Sequence, residues 1–355
     1  MNSRLNAIRD WIAETNVDAV LLSKPANRFY AAGFTGSAGT VVITADNQYL
    51  VTDFRYKSQA QAQSPGFTYL EIGKHESAVK HIRDLELQRV GIEDEFISLS
   101  LAKEYEKEIP GIELVPLNNQ LTVIRSVKEP EEVNQIRKAA ELADEGWEMI
   151  QGRIRPGISE HELALELEFF MRRHGAGGVS FQFIVASGVR SALPHGIASD
   201  KLIEAGDFLI FDFGNQVNGY CSDMTRTVVM GQATENQKEI YATVLKAQLA
   251  ALEAVRPGIT GVELDAIARD IITEAGYGSY FGHGLGHGVG IEIHELPHVN
   301  HLGTTPLTPG NIITIEPGIY LPELGGVRIE DLVLVTEKGY EVLSKSRKEL
   351  VEIPV

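Results

Sequence analysis

The chain has 355 residues, with 32 Lys and Arg against 49 Asp and Glu, for a formal charge of −17. Such a surplus repels phosphate backbones and anionic lipid surfaces, and no basic cluster offsets it, which excludes a general nucleic-acid or membrane-surface binder. The length predicts two domains, the 43% hydrophobic content is ample for two cores, and the single cysteine, Cys221, excludes an intramolecular disulfide or a cysteine-rich zinc site.

The first 20 residues are amphipathic and charged, without the apolar core of a signal peptide, and no apolar run approaches the roughly 18 residues of a membrane span. The expectation is a cytoplasmic protein. Residues 1–122 alternate two periodicities. Apolar strands are predicted at Asp18 to Leu22, Thr40 to Thr44, Gln48 to Thr52 and Val90 to Ile92, and helices at Ser3 to Thr15, Glu76 to Leu85 and Leu99 to Glu108. This is an α/β layer domain. Its Gly33 to Gly39 loop is glycine-rich but lacks the Lys-Ser/Thr pair of a phosphate cradle. A second domain, residues 123–355, opens with a helix that starts at Pro130 and runs through Ile150.

That second domain contains a repeat. Arg155-Pro156-Gly157-Ile158-Ser159 recurs 101 residues later as Arg256-Pro257-Gly258-Ile259-Thr260, and each copy opens a helix with a capping box, Ser159 with Glu162 and Thr260 with Glu263. Downstream, Gly206 to Asp212 corresponds to Gly310 to Glu316, with a carboxylate six residues after the glycine in both. Two matches at nearly one offset imply a duplicated half-domain about a pseudo-twofold axis. The fold class is therefore α+β.

Each half brings two carboxylates to adjacent apolar strands: Asp212 on Phe208 to Phe213 with Asp223 on the return, and Glu316 after Ile312 to Ile315 with Glu330 on the return from Val327 to Val335. Ionised carboxylates inside apolar strands are costly unless paired. Arg226 and Arg328, on the two return strands, are candidates to neutralise part of that charge, and a cation site between the halves accounts for the rest. The neutral ligand comes from a segment holding five of the ten histidines in 19 residues, His283, His287, His294, His298 and His301. Glycine at every second position from Gly282 to Gly290 leaves one face of an extended chain bare for close approach. His294 to His298 satisfies H-E-x-x-H, but Pro297 would break the helix a zincin requires, and Ile291 and Ile293 favour a strand before it.

Asp212 and Asp223 eleven apart, His283 to Gly290 through His294-Glu295, Glu316-Pro317-Gly318 and Arg328 to Asp331 together resemble the dinuclear Xaa-Pro peptidases, which include aminopeptidase P and prolidase. Ser191 to Gly196, the Gly33 to Gly39 loop and Thr52 to Tyr56 extend the resemblance over nearly the whole chain. It implies a pita-bread catalytic domain preceded by a creatinase-like domain. Asp212, Asp223, His287, Glu316 and Glu330 would hold two divalent metals, Asp223 and Glu330 bridging. Four carboxylates cancel two divalent cations, and so hard a ligand set suits manganese, with cobalt or zinc as alternatives. Paired ions can present a shared hydroxide to the carbonyl before proline, whose nitrogen must be protonated as it leaves.

By the same resemblance Glu316 shuttles that proton, His195 and His294 contact substrate, and His283 and Arg328 support the site. His75, His81, His161, His174, His298 and His301 are expected to be surface or structural, and Cys221 a small buried strand residue. Substrates would be Xaa-Pro dipeptides or peptides with proline second, and the assembly a homodimer. A dipeptidase would carry an arginine after His-Glu-x-Pro, where this chain has His298. That and the Gly33 to Gly39 loop favour an aminopeptidase, with a dipeptidase as the alternative. A metal-free creatinase-type hydrolase and a silent binding protein are disfavoured by the complete ligand set.

Overall fold

The computed structural model describes residues 3–74 and 76–355, so His75 lies outside the described residues. The chain divides into two compact units, Met1–Arg125 and Ser126–Val355. The first unit is built on a six-stranded mixed sheet, ordered β4-β3-β2-β1-β5-β6. Its strands are β1 (Ala19–Leu22), β2 (Thr40–Thr44), β3 (Gln48–Asp53), β4 (Thr68–Ile72), β5 (Arg89–Ile92) and β6 (Glu113–Pro116). The helices are α1 (Ser3–Thr15), α2 (Pro25–Ala32), α3 (Lys57–Gln63), α4 (Ala78–Asp84), α5 (Leu99–Glu108) and α6 (Gln120–Ser126). β1 is a continuous apolar run buried at all four positions, as a central strand covered on both faces requires. α1 buries Leu5, Ile8 and Ile12, one stripe at helical spacing. The glycine-rich loop is a structural turn: the buried Arg28 guanidinium donates to the carbonyls of Gly36 at 2.9 Å and Gly39 at 2.7 Å.

The second unit begins with α7 (Pro130–Gln151), which has proline in its first turn and a Glu129/Glu132 capping box, and α8 (Glu160–Arg173), capped by Ser159. β7 (Gly178–Val179), β8 (Ile184–Ser187), β9 (Phe208–Phe213), β10 (Asn215–Val217), β11 (Tyr220–Cys221) and β12 (Met224–Met230) follow. Next come α9 (Glu235–Ala254), α10 (Gly261–Glu274), β13 (Gly286–Gly288), β14 (Glu295–Val299), β15 (Ile312–Ile315), β16 (Gly318–Leu321), β17 (Gly325–Arg328), β18 (Asp331–Thr336), β19 (Gly339–Val342) and β20 (Val351–Ile353).

The duplication is visible in the topology. β9 pairs antiparallel with β12 in one sheet, and β15 with β18 in another. Both α8 and α10 start with the reciprocal capping boxes expected at Ser159/Glu162 and Thr260/Glu263. One core holds Trp147, Leu163, Phe211 and Phe213 of the first half with Ile353 from the chain's end, and the other holds Val244, Leu264, Ile313 and Val333 of the second half with Phe208 and Val229 of the first. The halves meet where Thr227 Oγ1 donates to the Arg328 carbonyl at 2.8 Å and Glu330 N donates to the Thr225 carbonyl at 3.1 Å.

Two expectations change. The return predicted from Val327 to Val335 is two strands, β17 and β18, broken at Ile329-Glu330, which turns the Glu330 carboxylate out of the ladder. Ile291 and Ile293 lie in bends, and the strand starts only at Glu295. His294 to His298 is accordingly not a helix. No helix among the described residues is long and apolar enough to cross a membrane.

Candidate metal centre and catalytic cleft

Strand alternation selects which side chains reach the seam between the halves. In the β9/β12 register Thr225 lies opposite Asp212, and Arg226 faces the other way. Asp223 sits just before β12 and two residues before Thr225. In the second half Glu316 directly follows β15 and Glu330 directly precedes β18. His287 is held in β13 between β14 and β15. This close packing is what the bare glycine face permits: a Cβ on Gly286 would stand 2.1 Å from the Thr314 carbonyl oxygen, and one on Gly288 2.2 Å from that of Leu296. Gly286→Ala is expected to lower stability by about 1–3 kcal/mol, read as a fall in Tm; an unchanged Tm would show that the strand can shift without cost.

Ligating atoms of Asp223, His287 and Glu330 lie within 4.8 Å of one another. His287 Nε2 is 3.6 Å from Asp223 Oδ2 and 3.4 Å from Glu316 Oε1. His287 Nδ1 faces the Gly288 carbonyl at 3.0 Å, so that nitrogen carries the proton and the lone pair of Nε2 points among the carboxylates, where only a cation can accept it. Thr314 Oγ1 accepts from His287 N at 3.1 Å and donates to Glu316 Oε1 at 3.2 Å, fixing both groups from one hydroxyl.

Asp212 Oδ2 accepts from Arg328 Nη2 at 2.6 Å, while Asp212 Oδ1 is buried with no hydrogen-bond partner. Glu330 Oε2 accepts from Thr225 Oγ1 at 2.6 Å, and that hydroxyl in turn accepts from Arg328 Nε at 3.1 Å. Arg328 Nη1 donates to Tyr320 Oη at 2.7 Å, and Tyr320 Oη lies 2.7 Å from His283 Nε2. Because His283 Nδ1 faces the Gly284 carbonyl at 2.8 Å, the tyrosine proton goes to Nε2. Donation thus runs outward from Arg328, to Asp212 on one side and through Tyr320 to His283 on the other. Burial pushes the His283 imidazole down to about 4, which keeps it the neutral acceptor this donation needs.

Electrostatics mark the cluster as incomplete without cations. Burial, followed by repulsion from Glu330, Asp212 and Glu316, drives the Asp223 carboxyl well above its ordinary range. Burial, then Glu316 and Asp212, does the same to Glu330, and burial lifts Glu316 to about 8. The donor set is four carboxylates and one neutral imidazole, with an orphaned oxygen on Asp212. These residues fit a pair of hard divalent cations.

A cavity of about 440 Å³ opens onto this cluster. His195 and His294 line it, both exposed, and the His294 ring meets that of His287 edge-on with centroids 4.4 Å apart. Phe181, Ile184, Pro194, Ile197 and Ile293 supply an apolar wall. His298 and His301 are exposed, as are His161 and His174; His81 is half-buried with Nε2 against the Glu71 carbonyl. Cys221 is buried, and burial raises its thiol to about 11.

Arg226 does not neutralise the cluster. It faces away from Asp212 and pairs with the buried Asp331 at 2.8 Å, while donating to the carbonyls of Ser346 and Arg347. Thr225 and Tyr320 belong to the site and were missed. Both follow by period two from residues that were found, Thr225 from Asp223 and Tyr320 from Glu316.

The description "Metallopeptidase family M24" matches residues 134–337, and "Creatinase/Prolidase N-terminal domain" matches residues 4–127. The chain belongs to the M24 metallopeptidases. This M24 peptidase is 41% identical over 354 residues to an Xaa-Pro dipeptidase of Pyrococcus furiosus, a span of 99% of this chain and 100% of that one. Among solved structures it resembles an Xaa-Pro dipeptidase from Bacillus anthracis with a TM-score of 0.95 and 44% identity, covering 99% of both chains. It also resembles an X-Pro aminopeptidase from Thermotoga maritima, with a TM-score of 0.90 and 38% identity over 96% of this chain and 98% of that one. The M24 peptidase therefore has the expected fold, a creatinase-type N-terminal domain before a pita-bread domain.

Proposed function

We propose that this M24 peptidase is an Xaa-Pro dipeptidase, holding two divalent cations through Asp212, Asp223, His287, Glu316 and Glu330, with Asp223 and Glu330 shared between them. The observation that carries the metal assignment is the buried cluster in which Asp223, Glu330 and Glu316 approach the His287 imidazole while Asp212 adds to the charge that raises the Asp223 and Glu330 carboxyls. Hard oxygen donors favour manganese. Dipeptide preference rests on whole-length likeness to the two Xaa-Pro dipeptidases, which supports this alternative better than the aminopeptidase expected from the sequence. The loop that suggested an aminopeptidase is occupied by Arg28 in holding its own turn.

When bound, the two ions supply Lewis acidity and acidify a water for attack on the scissile carbonyl. The chain's residues do the rest. Glu316, steadied by Thr314, takes the attacking water's proton and gives it to the proline nitrogen, which has no N–H of its own. His195 and His294 donate to the substrate's carbonyl and carboxylate from the cavity rim, and the apolar wall seats the proline ring. Arg328, counted with four carboxylates and two dications, leaves one formal positive charge in surplus, which favours an anionic reacting group. Its guanidinium is aimed by Tyr320.

The deciding measurement compares an Xaa-Pro dipeptide with the matching Xaa-Pro-Yaa tripeptide in the manganese-loaded enzyme. The dipeptide is expected to win by at least about tenfold in kcat/KM, corresponding to about 1.4 kcal/mol. Equal rates or a tripeptide preference would restore the aminopeptidase reading.

A further inference from the structure

The loop that carries His195 joins β8 to β9 and is anchored by a residue outside the cleft. Glu160, the first residue of α8, is fully buried, and its carboxylate accepts five hydrogen bonds. Oε1 takes Ser187 N at 2.7 Å and Ser187 Oγ at 2.8 Å. Oε2 takes Ser199 Oγ at 2.7 Å, Ser199 N at 3.1 Å and Arg190 Nε at 3.0 Å. Arg190 also donates Nη2 to the Ile197 carbonyl at 2.6 Å. Oε1 therefore holds the start of the loop at Ser187, and Oε2 ties Arg190 to Ser199 across the stretch that carries His195. Its crown is held separately, by Ser191 Oγ accepting from Gly326 N at 2.8 Å.

The duplicated half shows the same junction built another way. Ser159 bridges Leu202 as Thr260 bridges Pro306, and His161 N donates to the Ser199 carbonyl at 2.9 Å as Val262 N donates to that of Gly303 at 3.1 Å. These pairs place Glu160 opposite Gly261 and Ser199 opposite Gly303. In the second half the chain segments touch directly. A Cβ on Gly261 would stand 2.1 Å from the His298 carbonyl oxygen, and one on Gly303 would stand 2.1 Å from the same oxygen and 3.1 Å from the Gly261 Cα. Where the second half closes this junction with two glycines, the first keeps a gap and spans it with a carboxylate. A buried carboxylate is expensive unless fully hydrogen-bonded, so five donors converging on this one form a specific clamp rather than incidental contacts.

We propose that Glu160 is a positioning residue for catalysis, acting through the loop that sets His195 against the substrate; this rests on the proposed role of His195. Glu160→Gln keeps the shape but gives one oxygen and one NH₂ where both sides present donors, so it releases one foot of the loop. Ser199→Ala is the milder variant, removing a single bond to Oε2. Both are assayed in manganese-loaded enzyme on an Xaa-Pro dipeptide, alongside His195→Ala and the double variant Glu160→Gln/His195→Ala, with bound manganese and Tm measured for each.

A displaced catalytic group costs on the order of ten- to a hundredfold in kcat. That loss is expected for Glu160→Gln, and a smaller one for Ser199→Ala, with two manganese ions retained. In the His195→Ala background Glu160→Gln should add almost nothing. Full additivity of the two losses, or wild-type kcat in both clamp variants, would overturn the proposal. Wild-type activity in His195→Ala alone would instead overturn the role of His195. Loss of manganese in Glu160→Gln would show that the clamp supports the whole centre and would also overturn the proposal.

Discussion

Asp223→Asn is expected to lose nearly all turnover, by at least about a thousandfold, together with the second equivalent of bound manganese. The expectation follows from position. Asp223, His287 and Glu330 bring ligating atoms within 4.8 Å of one another, and burial followed by repulsion from three neighbouring acids raises the Asp223 carboxyl. An amide at this point offers one weak oxygen ligand and no charge, so a shared ligand would be lost to both ions. Glu330→Gln should behave alike from the other half. Metal content and release of free proline are the measurements, and an Asp223→Asn enzyme with two ions and near wild-type turnover would refute the shared-ligand assignment. His298→Ala provides the contrast. Its side chain is exposed on β14, so the change should be mild, whereas a helical zinc motif would demand complete loss.

The second large effect is on stability and runs opposite to ordinary acid denaturation. In the metal-free chain the Glu316 carboxyl is raised to about 8, and those of Asp223 and Glu330 are raised well above their usual values. An acid whose folded pKa exceeds its unfolded one binds more protons when folded, so stability falls as pH rises between those two values and levels off above the folded one. The metal-free protein should therefore become more stable on acidification from pH 8 toward pH 5. Binding cations requires these groups ionised, so the stabilisation supplied by manganese should be largest at pH 8 and shrink toward pH 5. Paired melting curves with and without manganese across this range test the sign, and parallel Tm profiles would contradict it.

Much of the centre was legible because its chemistry conflicts with its surroundings. Carboxylates at the ends of strands such as Phe208 to Phe213 have no reason to sit there unless something pays the desolvation cost, and the repeat offset showed that two such places face one axis. The glycine alternation before His287 announced close packing, and the atoms that fill that space are the carbonyls of Thr314 and Leu296. For Arg226 the residue order gives the return strand but not the face it takes. The register opposite Asp212 belongs to Thr225, which sends Arg226 to Asp331 instead.

Tyr320 was hidden by the break at Glu316-Pro317, which separates β15 from β16, although Glu316 and Tyr320 keep the same parity. In the first unit α2 escaped notice because it is only eight residues long, and its one strong signal is Pro25 in the first turn. Glu160 could not be read from sequence at all. It occupies an ordinary first-turn position, where an acid is favoured by the helix dipole alone, and only the paths of Ser187 and Ser199 reveal its second task.

The two halves lend residues to each other's cores and share a seam lined by Asp212 and Asp223 from one side and Glu316 and Glu330 from the other. Loaded, that seam would be a cross-link between the halves; emptied near neutral pH, it would keep most of its acids protonated, the state that burial and their mutual repulsion favour. Metal should then raise the temperature of a single transition rather than change its number, because the stripped halves stay joined by the buried Arg226–Asp331 pair and by the pairing of β12 with β20.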